Sequence, residues 1–206
     1  MKKRIPRLLA EAERQKDSSA GDSSITSKSR SFSNPAEAEV FFGQLRQELF
    51  RVSEWNGKTA LTSFELFDQK GTPAHRPAEV GDFIRVRMTG AGKDDWVRVS
   101  EIVDEAGESI VTIKPSHDPT EKESDKSATS HFFTSEAANN LCLERSDAVV
   151  SFHVIGLSEK TNTDETENFL EKTRNVAVAN IGSYFGIQKG EWQKFCANFL
   201  RLADEK

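Results

Sequence analysis

Residues 82–115 read DFIRVRMTGAGKDDWVRVSEIVDEAGESIVTIKP, three short runs rich in β-branched and aromatic residues, separated by breaks that carry glycine and aspartate. Each run alternates with period two. In FIRVRM, Arg85 and Arg87 share one face and Ile84, Val86 and Met88 the other; in DWVRVSEIV, Val97, Val99 and Val103 lie opposite Trp96, Arg98 and Ser100. This is the period of half-buried strands and not of helices. The break DEAG, residues 104–107, is short enough for a hairpin, so neighbouring runs are expected to pair antiparallel. TGAGKDD, residues 89–95, reads as a second hairpin turn: no helix follows to turn its glycines into a phosphate cradle.

The same kind of run recurs at 58–68, 128–134, 140–146 and 148–157, which gives up to seven consecutive strands with no helix between them. Helical patterns flank this meander. Asn34, Pro35 and Glu37 form a capping-box start, and Ala38, Phe41, Phe42, Leu45, Leu49 and Val52 then make one apolar stripe, so a helix is expected over about residues 35–54. After the meander, 161–186 reads as a helix ending at Gly186, and Trp192, Phe195, Cys196, Phe199 and Leu200 mark a last one. The fold expected is α+β: a curved antiparallel sheet of about six to seven strands, preceded by one helix and followed by two. This order of elements resembles that of helix-grip and START-like lipid-binding domains, whose curved sheet wraps a C-terminal helix around an apolar cavity. Those domains begin with a strand ahead of their short helices and close with one long helix, whereas this pattern begins with a helix and closes with two.

Residues 1–16 carry six basic and two acidic side chains, net +4, so the overall charge of -5 leaves -9 for the rest of the 206-residue chain. An acidic body argues against a nucleic-acid partner. From Asp17 to Ser33 serine and charged residues dominate, and residues 1–33 are read as a disordered, basic and serine-rich tail ahead of a single α+β domain, 34–206. No apolar run is long enough for a transmembrane segment or for the core of a secretory signal. Cys142 and Cys196 stand far apart inside apolar patterns, as buried free thiols do, so a reducing, cytoplasmic setting is expected.

No phosphate loop, dinucleotide fingerprint, paired-cysteine, zinc-protease, nucleophile-elbow or kinase pattern is present, so no cofactor, metal or catalytic residue is assigned. Of the four histidines, His117 lies beside Asp118 and Pro119 at a strand exit, where adjacent extended side chains point opposite ways. The acidic run Glu121, Glu123 and Asp125 reads as a solvated loop. His131 and His153 fall within strands, and Arg98 with Arg85 and Arg87 forms a basic ladder beside Trp96 that suits a carboxylate or phosphate. The expectation is a non-catalytic domain that binds a small apolar or anionic ligand between the sheet and the C-terminal helices, with Trp96, Arg98, His131 and His153 as the binding residues. The alternatives are a hydrolase or isomerase with a strand histidine as general base, and an interaction module tethered by its N-terminal tail.

Overall fold

The computed structural model describes residues 3–16, 23–89, 94–121, 137–158 and 190–202. In chain order these form α1 (Ile5–Lys16), β1 (Ser24–Ser31), α2 (Pro35–Phe50), a 3-10 turn (Val52–Trp55), β2 (Thr62–Phe67), β3 (Phe83–Met88), β4 (Asp95–Glu105), β5 (Glu108–Pro115), β6 (Ala138–Ser146) and β7 (Val149–Leu157). Residues 190–199 are helical and are called α3. The fold is α+β, with a curled, half-barrel sheet of seven antiparallel strands ordered β1-β7-β6-β5-β4-β3-β2. The strand expected at 128–134 and the helix expected at 161–186 lie outside the described residues.

The start of α2 follows the local pattern. Asn34 Oδ1 accepts from Glu37 N at 3.0 Å, Asn34 Nδ2 donates to Glu37 Oε1 at 2.8 Å, and Pro35 occupies the first turn. The apolar stripe of α2 is buried as expected, but the α-helix stops at Phe50 because Arg51 turns extended, and a 3-10 turn completes the segment to Trp55.

The concave face of the sheet meets α2 and α3. Val99, Val111, Ile113, Leu141, Leu143, Phe152 and Val154 pack there against Phe42, Leu45 and Leu49 of α2 and Phe195 and Phe199 of α3. The convex face carries α1, whose Ile5 and Ala12 are buried against Ile110, Cys142 and Ile155. A bulge in β4 between Val99 and Glu101 inserts one residue into the alternation. Val103, which unbroken alternation would place beside Val97 and Val99, therefore packs on the convex side with α1, and Ile102 takes the concave place.

The N-terminal segment differs most from the sequence expectation. Within residues 1–33, read as a disordered tail, α1 is a twelve-residue helix and β1 is an eight-residue edge strand paired with β7. Composition misleads because the backbone ladder to β7 needs no apolar side chain, and the four apolar residues Ile5, Leu8, Leu9 and Ala12 suffice for one helical stripe. With β1 in place a strand precedes α2 and the six-strand meander β2–β7, so the first strand missing from the sequence reading is supplied, with α1 ahead of it.

Candidate functional site

The concave face is a packed core, and one cross-strand row leads out of it from Val99 and Ile113 to a polar residue. Phe195 of α3 has ring centroids of Trp55, Phe64, Phe152 and Phe199 within 6.1, 6.2, 5.8 and 5.7 Å, and Trp55 Nε1 donates to Leu49 O at 3.0 Å. Sheet and α3 are thus in direct aromatic contact here, which leaves packed core where a pocket was expected. About 7 Å further along β6, two residues beyond Leu141 of this core, lies Asn139. Val99, Ile113, Asn139 and Gly156 are successive cross-strand partners in the same phase as the apolar core. Asn139 Oδ1 is buried there without a hydrogen-bond partner among the described residues. A buried acceptor left unpaired costs about 1–3 kcal/mol, so it marks a place where a donor is wanted.

Of the four residues expected to bind ligand, Trp96 and Arg98 come together, His153 stands apart, and His131 lies outside the described residues. None of the three described faces α3. Val97 and Val99 are concave, so Trp96 and Arg98 are convex; Phe152 and Val154 are concave, so His153 is convex. They therefore do not stand on the side of the sheet that meets α3, where a ligand was expected, a correction that follows from strand phase.

Trp96 is buried in a small aromatic cluster, its ring 4.8 Å from Phe67, with Phe83 beside it and His117 5.7 Å from Phe83. Arg98 is exposed, donates through Nε to Gly81 O at 3.2 Å and lies over the Phe83 ring. The basic ladder is neutralised: Arg85 pairs with Glu65 and Asp94, and Arg87 holds Asp94 through two bonds of 3.0 and 2.9 Å, lowering that carboxyl's pKa. Asp118 accepts from Thr120 N at 2.7 Å and from its hydroxyl at 2.6 Å, which turns the chain after the strand exit.

His153 sits between Ser27 of β1 and Cys142 of β6, its cross-strand neighbours. Ser27 Oγ and His153 Nδ1 are 2.7 Å apart, while Nε2 is buried without a partner. Burial lowers its pKa, partly offset by Glu144, which keeps the ring neutral near pH 7. A serine beside a neutral imidazole has the contact of a nucleophile and its base, yet among the described residues no group orients Nε2, and burial opposes the imidazolium more than Glu144 favours it. Three strand spacings, on the order of 14 Å, separate His153 from Arg98, so no base and anion-stabilising arginine converge here. The thiols are equally unsuited: burial pushes Cys196 up to about 12 and Cys142 also upward. Among the described residues no three histidine, cysteine or acidic side chains gather as metal ligands, and no helix is long and apolar enough to cross a membrane.

A shallow, open cleft of about 330 Å3 lies at the turn end of the sheet, between α2 and the β4–β5 hairpin. Arg46 and Asp104 cross it as an ion pair, with Glu39, Glu105 and Arg145 on its walls. Three carboxylates facing two guanidinium groups give it no field that selects an anion.

Asn139 was missed by sequence reading. Its signal was there, a polar residue in phase with Leu141 and Leu143, but without a structure nothing said that this phase was the concave one.

No protein-family model and no curated protein sequence matches the chain. Solved structures do. The hypothetical protein jhp0584 from Helicobacter pylori superposes with a TM-score of 0.50 over 85% of this chain and 85% of that one, at 9% identity. A putative uncharacterized protein from Bacillus thuringiensis covers 86% of this chain and 98% of its own at 12% identity and TM-score 0.45. The ginseng major latex-like protein 151 from Panax ginseng covers 76% and 97% at 13% identity and TM-score 0.36. At such identities the likeness is one of fold.

Proposed function

We propose that the protein is a non-catalytic binding domain that holds a small, largely apolar molecule against the concave face, where the ligand donates a hydrogen bond to Asn139 Oδ1. The observation that carries this reading is the buried, partnerless oxygen of Asn139 in a row otherwise made of Val99, Ile113 and Gly156. An apolar surface with one fixed polar group is how small-molecule sites obtain both affinity and orientation. The helix-grip order of elements is in keeping with it, as is the want of an assembled nucleophile or base among the described residues.

The test is a titration of the full chain with 1-anilinonaphthalene-8-sulfonate, an aromatic probe with an N–H donor, followed by fluorescence and by amide chemical shifts. Saturable one-to-one binding with shifts centred on Val97, Ile113 and Asn139 is expected. Asn139→Leu, which keeps the volume and removes the acceptor, should weaken binding by about fivefold, the equivalent of one net hydrogen bond. Binding that does not saturate, or shifts gathered at the Arg46 and Arg145 cleft, would remove the proposal's basis.

The tethering alternative has less support. Two basic residues of the N-terminal segment are engaged with the acidic body itself, Lys3 with Glu144 at 3.0 Å and Arg4 with Glu101, and Arg14 and Lys16 pair within α1 with Glu11 and Glu13.

A further inference from the structure

The two edges of the sheet are finished differently. At β2 the edge groups are taken. Asn56 Nδ2 donates to Phe64 O at 2.9 Å, Asn56 Oδ1 accepts from Phe64 N at 2.8 Å, and Ala74 N donates to Leu66 O at 2.8 Å. At β1 the phase of the ladder shows which groups are used. Phe32 N donates to Ala148 O at 2.8 Å, one step beyond the Ser31 and Val149 pair, so Ser24, Thr26, Lys28 and Arg30 turn their backbone groups towards β7. Those of Ile25, Ser27, Ser29 and Ser31 then point away from the sheet. The side chains agree: Ser27 with His153, and Ser29 with Ser151 at 2.8 Å, meet as the closer, non-hydrogen-bonded pairs do. Among the described residues these four outward backbone sites have no backbone partner.

Apart from Lys28, the usual protections of an edge are also missing along this row. Ser27, Ser29 and Ser31 are exposed and small, and β1 has neither a proline nor a bulge. Arg30 does not guard the edge. Its guanidinium donates to the carbonyls of Leu200 and Arg201 at 3.2 and 3.1 Å and lies over the rings of Phe32 and Phe41. Neither Lys28 nor Arg30 forms an ion pair among the described residues, but the carbonyls and rings hold Arg30, which leaves Lys28 as the charge on β1 that is not engaged. A second copy is a poor occupant. It offers Lys28 no carboxylate in any register, because β1 (SITSKSRS) contains no acidic residue.

We propose that the β1 edge takes an extended acidic peptide as an eighth strand, with a carboxylate opposite Lys28 and small residues opposite Ser27 and Ser29. The site is separate from the concave face and does not depend on the ligand reading.

The probe is a terminally blocked peptide of alternating threonine and glutamate, matched to the eight residues of β1, with a threonine and lysine peptide as counterpart. Added to the full chain, the glutamate peptide should bind saturably and slow hydrogen exchange at the Ser27 and Ser29 amides; the lysine peptide should bind about tenfold more weakly. Ser29→Pro should abolish binding, because it removes an outward N–H that β7 does not use, whereas Ser29→Ala should bind as the parent does. Lys28→Glu should invert the preference between the two peptides, and it decides the matter alone where Ser29→Pro loses its circular-dichroism signature. Equal binding of both peptides, no binding of the glutamate peptide at millimolar concentration, or no protection at Ser27 and Ser29 each overturns the proposal. So does a dimer in sedimentation that Ser29→Pro converts to monomer, which would assign the edge to a second copy.

Discussion

Asp82 is fully enclosed, and its carboxylate accepts from Arg76 Nη1 at 2.7 Å, Arg76 Nη2 at 3.0 Å and Glu79 N at 2.8 Å. It fixes the loop that leads into β3. Asp82→Ala strips three bonds but leaves Arg76, which is partly exposed, in reach of water, so the expected loss is about 2 kcal/mol and not the larger cost of a stranded buried charge; urea denaturation measures it. His153 offers a pH test. Its folded pKa lies below the ordinary 6.5, so the unfolded chain takes up the proton first as pH falls. Its contribution to stability is therefore complete above about pH 6.5 and is lost progressively below it. His153→Gln should flatten the fall in unfolding free energy between about pH 6.5 and 5, with little change at pH 8; an unchanged slope would assign the acid sensitivity to other groups.

At the scale of elements, what was legible depended on how local its cause is. The capping box at Asn34 and Glu37 spans four residues, and it was read with its partners correct. Asn34→Ala should cost about 1 kcal/mol in a thermal or urea melt. The first turn of α1 is capped as firmly, but by Glu108 of β5: its buried carboxylate accepts from Arg4 N at 2.9 and 3.0 Å and from Ile5 N at 3.0 Å, across 104 and 103 residues. No local pattern announces such a cap, so α1 looked like a frayed terminus. Glu108→Gln keeps one acceptor and Glu108→Ala none, so the alanine change should raise hydrogen exchange throughout α1 and cost about 1–2 kcal/mol, the glutamine change less. Phase was similarly hostage to one distant choice. The alternation of β4 was read correctly up to Val99, and the bulge that moved Val103 to the other face has no sequence mark beyond an extra residue. The candidate ligand residues failed for the same reason. Period two says which side chains share a face; only the packing of α2 and α3 says which face is concave.

The whole molecule is a sheet covered on both faces, and its N-terminal segment closes two of its exposed surfaces. Helix α1 lies over Ile110, Cys142 and Ile155, and β1 occupies the edge of β7. Removing residues 1–16 takes away the apolar stripe and the Glu108 bonds but leaves the seven-strand ladder. Such a chain should fold, with a lower Tm and an apolar patch on its convex face. Removing residues 1–33 does more. It strips β7 of its partner and uncovers the backbone groups of Val150, Phe152, Val154 and Gly156, beside the α3 core that Phe152 and Val154 help enclose. A disordered tail would come off both times without consequence. An integral first strand predicts instead a stepwise response: a modest Tm loss for the first truncation, and aggregation by light scattering with loss of the cooperative transition for the second. Equal melting curves for the full chain and the chain beginning at residue 34 would return the segment to the status of a tail, and would remove the free β1 edge as a docking surface with it.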